Sequence, residues 1–251
     1  MELENMSVVV TGGSKGLGLG LVEALVAQRA KVTVVARDAQ ALDALRSQHG
    51  VDTITADVTE AAAAERVLAL TRPDILVLNA GAKPPMGRLD RMSWADFTAP
   101  WEADVKAGFH WLQAALTLPL KRGSRVLVGS SGAAVNGSPL SGGYAGAKRM
   151  LWLMARYANG VSTQADLGIR FQVIVPQQMV GGTGVGDTGA EAYAQALGIS
   201  KAQFLARNPD MPPSDFGAKV VSLLTDAQYA QGVAFGLRGD TGITVLEEAA
   251  A

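Results

Sequence analysis

Short apolar runs alternate along this chain with longer segments whose apolar residues recur at helical spacing. The short runs are rich in β-branched residues, which is typical of strands buried on both faces of a parallel sheet. Seven strands are predicted in this way, at 6–11, 31–36, 51–56, 74–78, 124–129, 170–175 and 233–237. Helices are predicted at 21–27, 39–48, 60–71, 93–119 with an interruption at Pro100, 141–164, 190–206 and 214–226. This alternation favours an α/β fold with a doubly wound parallel sheet and helices on both faces. No linker or repeat divides residues 1–251, so a single domain is expected.

A glycine-rich turn joins the first predicted strand to the first predicted helix. Backbone N–H groups at a helix start attract an anion, and the missing Cβ atoms of glycine let it approach closely. The turn is not a Walker A loop, because no Gly-Lys-Ser or Gly-Lys-Thr follows it. We therefore predict that a dinucleotide phosphate is held by Gly12, Ser14, Lys15, Gly16, Leu17 and Gly18.

The second predicted strand ends at Arg37 and Asp38. In dinucleotide-binding sheets this end faces the adenosine ribose, where an acidic residue binds a free 2′-hydroxyl and a basic residue accommodates a 2′-phosphate. Arg37, together with Lys15 in the glycine-rich turn, favours NADP(H) over NAD(H). In the alternative interpretation Asp38 caps the following helix and Arg37 is only solvated.

Tyr144 and Lys148 stand four residues apart in the predicted helix 141–164, so they share one helix face. A phenol is a poor acid or base near neutral pH because its ordinary pKa is about 10, but a neighbouring ammonium stabilises its phenolate. The two side chains can therefore form an acid–base pair. A tyrosine that merely packs on the aliphatic stem of a lysine has the same spacing, so the pair gains meaning only from the rest of the chain.

The composition excludes several classes of partner. A net charge of -1 and a pI of about 6.1 provide no basic surface for nucleic acid or for an anionic membrane. The chain has no cysteine, and His49 and His110 lack the spacing of metal ligands, so no metal site is predicted. The acidic N-terminus is unlike a signal peptide, and no uncharged run reaches the roughly 18 residues of a membrane helix. We expect a cytoplasmic protein.

Further motifs follow the later strands: Asp57-Val58 the third, Asn79-Ala80-Gly81 the fourth and Ser131 the fifth. Together with the glycine-rich turn and the Tyr144/Lys148 pair, they make residues 6–176 resemble the short-chain dehydrogenases/reductases, in which the serine and the tyrosine usually have the same spacing. The resemblance implies a Rossmann-like sheet of about seven strands. It also implies hydride transfer between a nicotinamide cofactor and a carbonyl or alcohol carbon.

The resemblance also implies a role for each motif. Tyr144 would be the general acid in ketone reduction and the base in alcohol oxidation, while Lys148 would assist it and hold the nicotinamide ribose. Ser131 would hydrogen-bond the substrate oxygen as negative charge develops there. Its neighbour Ser130 should face elsewhere, because side chains alternate along a strand. The adenine would contact Asp57 and Val58, and the cofactor groove would be lined by Asn79, Ala80 and Gly81.

The chain departs from the family pattern in three places. Asp104 stands where the family commonly has an asparagine in a proton path to the active-site lysine, and it should act as a counter-charge to Lys148. Pro176 is followed by Gln177-Gln178-Met179 instead of Pro-Gly, and a shifted loop would bring Thr183 to the cofactor, so Pro176, Met179 and Thr183 are expected to contact it. Residues 232–240 lack the usual Gly-Gly ending, so the contacts of the expected homodimer or homotetramer should differ there.

The substrate region is expected near 177–210, and the five glycines in 181–189 predict a mobile loop within it. The expected pocket is bounded by Ala133, Val135, Asn136, Met179 and the segments 83–86 and 181–210. These residues are largely apolar, with little positive charge besides Lys83 and Arg207. A neutral or hydrophobic ketone or aldehyde is therefore favoured over a phosphorylated sugar.

Other functions stay open at this point. The main alternative is a non-catalytic NADP(H)-binding sensor or regulatory protein, since one fold serves many functions. Ser131, Tyr144 and Lys148 argue against it, because a binding protein needs no proton donor beside the nicotinamide. A dehydratase, isomerase or epimerase that uses Tyr144 is a further possibility. A serine hydrolase with its nucleophile at 129–133 is disfavoured, because both histidines precede that serine in the chain.

Overall fold

The computed structural model describes residues 2–209 and 211–248. Met1 and residues 249–251, at the ends of the predicted domain, and Asp210, the last residue of the predicted substrate region, lie outside the described residues. The strands are β1 (Ser7–Thr11), β2 (Lys31–Ala36), β3 (Asp52–Thr55), β4 (Ile75–Leu78), β5 (Arg125–Gly129), β6 (Arg170–Pro176), β7 (Gly232–Arg238) and β8 (Gly242–Glu248). The helices are α1 (Gly16–Ala27), α2 (Ala39–His49), α3 (Ala61–Thr71), α4 (Trp94–Pro100), α5 (Lys106–Thr117), α6 (Ala133–Asn136), α7 (Gly142–Gln164), α8 (Gly184–Leu197), α9 (Lys201–Leu205) and α10 (Pro213–Thr225). In the part of the chain that is described, no helix is both long and apolar enough to cross a bilayer.

One sheet contains all eight strands, in the order β3-β2-β1-β4-β5-β6-β7-β8. Neighbouring strands from β1 to β7 are parallel, and β8 runs antiparallel to β7. The sheet is buried on both faces: Val8 and Val10 of β1 pack with residues of α1, α2 and α10, while Val9 packs with residues of α3, α5 and α7. The predicted doubly wound α/β architecture is confirmed.

The strand order reverses between β1 and β4, which both end beside a crevice at the carboxyl edge of the sheet. Thr11, the last residue of β1, holds these strand ends together: its hydroxyl donates to the Val77 carbonyl at 3.3 Å and accepts from the N–H groups of Asn79 and Ala80, both at 3.1 Å. Ligands of doubly wound sheets bind at such a switch point. A ligand site is therefore expected at the carboxyl edge of the sheet, between β1 and β4.

The predicted number of strands was one too small. The additional strand β8 lies at the edge of the sheet beside β7 and is joined to it through a turn in which Gly242 has a φ of +75°. Val245 and Leu246 of β8 are 41% and 37% exposed. A half-exposed antiparallel edge strand lacks the continuous apolar run of a central parallel strand, so the pattern used for the other seven did not detect it.

The prediction of a mobile loop over 181–189 was also wrong from residue 184 onwards, because α8 begins at Gly184. Thr183 caps this helix by accepting a hydrogen bond from the N–H of Gly186 at 3.1 Å. Gly186 packs against the Val180 carbonyl, and a Cβ on Gly189 would stand 3.1 Å from the Met179 side chain. These two glycines permit close packing. The predicted helix 190–206 is in fact α8 and α9, separated at Gly198, which has a φ of +66°.

Candidate active site

A cleft of about 960 Å³ opens at the carboxyl edge of the sheet. It is lined by every residue that the sequence predicted to contact the cofactor or to take part in catalysis. These are Gly12, Ser14, Lys15, Gly16, Leu17, Gly18, Arg37, Asp57, Val58, Asn79, Ala80, Gly81, Asp104, Ser131, Tyr144, Lys148, Pro176, Met179 and Thr183. Residues that are far apart in the sequence thus meet in one concave site of a size usual for small-molecule ligands.

The glycine-rich turn is shaped by close backbone contacts that only glycine permits. Gly12 has a φ of +67°, and a Cβ there would stand 2.7 Å from the Cα of Ala80. Gly18 packs against the Gly12 carbonyl oxygen and against the side-chain amide of Asn79, which donates to the carbonyls of Thr11 and Gly12 at 3.3 and 3.1 Å. No side chain of the described residues caps α1, so its first N–H groups are left for a ligand. This cradle fits the phosphates of a dinucleotide.

Lys148 and Asp104 form a buried ion pair in the floor of the cleft. The Nζ and Oδ2 atoms are 3.0 Å apart, and the residues are 6% and 2% exposed. The other carboxylate oxygen of Asp104 accepts from the N–H of Ala82 at 2.8 Å. Burial acts to lower the pKa of Lys148, but the charge of Asp104, aided by Tyr144, outweighs burial and raises that pKa above its ordinary value. Lys148 therefore carries a full positive charge at neutral pH.

A change in helix geometry brings Asp104 to this position. The predicted helix 93–119 consists of α4, one π-helical turn at Trp101–Val105, and α5. Such wide turns are rare and occur often at functional sites. The turn follows Pro100, whose ring lacks the N–H that a regular helix would use. The expectation that Asp104 acts as the counter-charge of Lys148 matches this geometry.

Tyr144 and Ser131 face the cleft with polar groups left for a ligand. Tyr144 lies one turn before Lys148 in α7, with the Lys148 Nζ 5.6 Å from its ring centre, and its hydroxyl bonds to none of the described residues. The Ser131 hydroxyl accepts a 3.3 Å hydrogen bond from the N–H of Ala133, which leaves its own proton free to be donated. Ser130 is buried and donates to the Lys148 carbonyl at 2.8 Å, as strand alternation predicts.

The ribose end of the cleft contains Arg37, Asp38 and Asp57. Asp38 caps α2 by accepting from the N–H of Ala41 at 3.1 Å. The guanidinium of Arg37 is mostly exposed and lies 3.9 Å from the Asp57 carboxylate. Hydrogen bonds from the backbone and hydroxyl of Thr59, and then the charge of Arg37, lower the pKa of Asp57. The Asp38 carboxylate thus caps α2 and the Asp57 carboxylate accepts from Thr59, while Arg37 extends towards solvent.

The segment after β6 forms the remaining wall. Met179 and Thr183 line the cleft as expected, but the Thr183 hydroxyl is engaged in its own turn, donating to the Val180 carbonyl at 2.7 Å. Val135, Pro85 and Arg207 do not line it, contrary to the expected pocket. The predicted substrate region 177–210 does contribute lining residues that the sequence did not single out, namely Gln177, Gln178, Tyr193, Phe204 and Asn208. Ser138 lines the cleft from outside that region. Apart from aromatic residues within the region after β6, no sequence signal marked them.

Comparison with known proteins decides the family. A family model described as short chain dehydrogenase matches residues 6–191. The chain belongs to the short-chain dehydrogenase/reductase family. It is therefore an oxidoreductase of a family that binds a nicotinamide cofactor and acts on small molecules. The glycine cradle and the switch-point crevice fit that cofactor.

Individual relatives of this short-chain dehydrogenase are distant. It is 28% identical over 208 residues to the oxidoreductase asL5 of Sarocladium schorii, covering 77% of this chain and 81% of that protein. It is 32% identical over 176 residues to the 3-oxoacyl-(acyl-carrier-protein) reductase MabA of Mycobacterium avium, covering 68% of this chain and 66% of MabA. A solved structure of NAD⁺-bound xylitol dehydrogenase superposes with a TM-score of 0.81 at 20% identity, covering 95% of this chain and all of that one. That likeness supports the shared fold.

Proposed function

We propose that this protein is an NADP(H)-dependent reductase of uncharged ketones or aldehydes, which oxidises the corresponding alcohols in reverse. One observation carries the proposal: the free hydroxyls of Tyr144 and Ser131 share a cleft with the glycine cradle, beside a lysine whose charge is secured by Asp104. A protein that only bound the cofactor would need neither hydroxyl. This disfavours the alternative of a regulatory NADP(H) sensor.

A nicotinamide cofactor held at the glycine cradle of Gly12, Gly16 and Gly18 would supply the hydride that the carbonyl carbon accepts. The substrate oxygen gains negative charge at the same time and takes a proton from the Tyr144 hydroxyl, which yields the alcohol. The Lys148 ammonium stabilises the phenolate that remains. Ser131 donates a hydrogen bond to the same oxygen and stabilises it more as its charge grows. Asp104 keeps Lys148 protonated through the cycle.

The preference for NADP(H) rests on the charges at the ribose end. Arg37 and Lys15 line the cleft, and both carry the charge that a 2′-phosphate requires. The carboxylate of Asp38 caps α2, as the alternative interpretation with a solvated Arg37 also expects, so this cap does not distinguish NADP(H) from NAD(H).

The catalytic proposal is tested with Tyr144→Phe, which removes one hydroxyl from a buried ring. Ketone-dependent NADPH oxidation should fall about 10²- to 10⁴-fold, while NADPH binding, followed by fluorescence titration, should stay within about twofold. Tyr157→Phe is the matched control, because Tyr157 lies on the same helix and is 60% exposed. Unchanged turnover in Tyr144→Phe would contradict the proposal. Product formed without net NADPH oxidation would instead favour the dehydratase, isomerase or epimerase reading.

The cofactor proposal is tested by titrating NADPH and NADH against the wild type and Arg37→Asp. The wild type should prefer NADPH, and the variant should lose most of that preference because it loses a charge-assisted contact. Arg66→Asp makes the same charge change on the exposed face of α3 and should leave the preference intact. Equal affinities in the wild type, or an unchanged preference in Arg37→Asp, would refute the NADP(H) assignment.

The predicted cytoplasmic location and homodimeric or homotetrameric assembly belong to the same proposal. Members of the family are often oligomeric. Phe109 on α5 and Tyr157 and Val161 on α7 are 51%, 60% and 46% exposed, which provides apolar area for a second copy. Sedimentation equilibrium should give a mass of two or four chains, and a single-chain mass at micromolar concentration would count against the assembly.

A further inference from the structure

The inner wall of the cleft beyond the catalytic residues carries a stacked aromatic pair. Tyr193 of α8 and Phe204 of α9 have ring centres 5.9 Å apart and ring planes within 11° of parallel. Both rings are partly buried and line the cleft, as do the neighbouring apolar side chains of Met86, Met179 and Val185. Aromatic faces and thioethers make their most favourable contacts with flat rings.

Hydrogen bonds fix this aromatic wall to the start of the catalytic helix. The Tyr193 hydroxyl lies 2.7 Å from the Ser138 hydroxyl, which in turn lies 2.6 Å from the hydroxyl of Ser141. Ser141 is buried and directly precedes α7, the helix that carries Tyr144. A wall held in this way is preorganised, so a ligand that packs on it loses little free energy in ordering the protein.

Two lysines and one carboxylate lie near this wall. A Cβ on Gly184 would stand 2.8 Å from the Cε of Lys83, so the lysine stem crosses α8 at its first residue. The nearby carboxylate of Asp187 binds Lys201 at 2.7 Å. That hydrogen bond, then Gly182 and the charges of Lys201 and Lys83, lower the pKa of Asp187. Asp187 is therefore paired with Lys201, whereas Lys83 lines the cleft, so these charges do not by themselves exclude an anionic substrate.

We propose that the substrate is an uncharged compound with a flat carbon ring next to its carbonyl or alcohol carbon, and that Tyr193 and Phe204 determine this specificity by packing on the ring. The inference rests on the proposed reductase function and names its substrate class. The aromatic wall supplies contact area for a ring, and the hydrogen bonds to Ser138 hold the wall in place. The preference for an uncharged compound is carried over from the proposed function.

The test compares three carbonyl probes with NADPH: acetophenone, which has a ring and no charge; methyl hexyl ketone, which has the same number of carbons and no ring; and benzoylformate, which has a ring and a carboxylate. The wild type should have its highest kcat/KM with acetophenone. Phe204→Leu should raise the KM for acetophenone about five- to tenfold, a change that matches the usual free energy of an aromatic contact. The KM for methyl hexyl ketone should rise less than about twofold.

Three further variants test whether such an effect merely reflects a loss of folding. Tyr193→Leu should lose the preference for acetophenone. Tyr193→Phe keeps the ring but loses the hydrogen bond to Ser138, so it should retain part of the preference. Trp94→Leu likewise replaces an aromatic residue by leucine at a 76% exposed position of α4 and should change neither KM. A wild type that reduces the three probes equally, or variants that raise both KM values equally, would overturn the substrate class alone. A wild type that binds NADPH and reduces none of the probes would contradict the reductase function as well.

Discussion

Each edge of the sheet contains a positive charge withdrawn from solvent, partly buried at Arg125 and buried at Lys148, but the partners of the two charges differ. At the amino edge, Arg125 of β5 donates to the Gln172 side chain at 2.8 Å and to the Leu224 carbonyl at 3.0 Å. Burial, and then the charge of Arg170, lower its pKa to about 10, so it stays protonated at neutral pH. At the carboxyl edge, Lys148 is paired with Asp104 and borders an open cleft.

The difference shows that Arg125 stabilises the fold, whereas Lys148 is placed to take part in chemistry. Neutral protein acceptors satisfy Arg125, and its side chain links β5 and β6 to the end of α10. Lys148 needs a carboxylate to stay charged, and beside it the hydroxyls of Tyr144 and Ser131 are left for a ligand. A buried charge therefore indicates function when its polar neighbours remain unsatisfied and face a cavity.

The largest effect is expected when the ion pair is broken. Asp104→Leu leaves the Lys148 ammonium buried without a counter-charge, which should destabilise the protein by about 3–5 kcal/mol. The double variant Asp104→Leu/Lys148→Met removes both charges and should regain much of that loss, although it should be inactive. Urea unfolding measures both. Losses that simply add in the double variant would show that the two charges do not stabilise each other.

At the amino edge, Arg125→Met should reduce stability by about 2 kcal/mol, because it leaves the Gln172 side chain and two carbonyls without their donor. Activity per folded molecule should stay within about twofold of the wild type. The matched exchange Lys148→Met should abolish activity. If Arg125→Met reduced kcat as strongly as Lys148→Met does, the distinction between the two edges would be lost.

Glycine substitutions at the cleft and on an exposed helix face should also differ in their effect on function, but the differences should be smaller. Gly18→Ala places a methyl group against the Gly12 carbonyl and the Asn79 amide, so it should weaken NADPH binding about tenfold, equivalent to about 1.4 kcal/mol. Gly160→Ala is the control, since α7 is exposed there and a Cβ would meet nothing within 4 Å. It should stabilise the protein by about 0.5–1 kcal/mol and leave NADPH affinity unchanged. Isothermal titration and thermal unfolding measure these effects, and unaltered binding in Gly18→Ala would argue against the cradle.

The smallest effect concerns pH. The pKa of Lys148 is raised in the folded protein, so its pairing stabilises fully below the ordinary lysine pKa of about 10.4 and is lost as the pH rises through the folded value. In Asp104→Leu burial acts on Lys148 opposed only by Tyr144, so the pKa is lowered and stability rises with pH. The stability gap between the two proteins should therefore narrow as the pH rises towards and through about 10.4, by at most about 1.4 kcal/mol per pH unit. A constant gap up to pH 11 would contradict this account of the pair.

Much of the fold could be predicted because its strands and helices have distinct local patterns. The parallel strands are continuous apolar runs, and the motifs that follow them come together because parallel strands end at one edge. The strand β8 and the start of α8 were mispredicted, since their reasons lie in tertiary contacts: pairing with β7, and glycines that pack on Val180 and Met179. Tyr193 and Phe204 lie within the predicted substrate region, but the sequence did not single them out because only the packing of α8 on α9 brings their rings together at the cleft.

The most direct measurement of the central claim follows the hydride itself. Wild type and Tyr144→Phe are incubated with NADPH deuterated at the transferable position of the nicotinamide and with a panel of uncharged ketones, and the products are analysed by mass spectrometry. The account predicts an alcohol that carries one deuterium on the former carbonyl carbon with the wild type, and almost none with Tyr144→Phe. Tight NADPH binding without deuterium transfer to any carbonyl would contradict it.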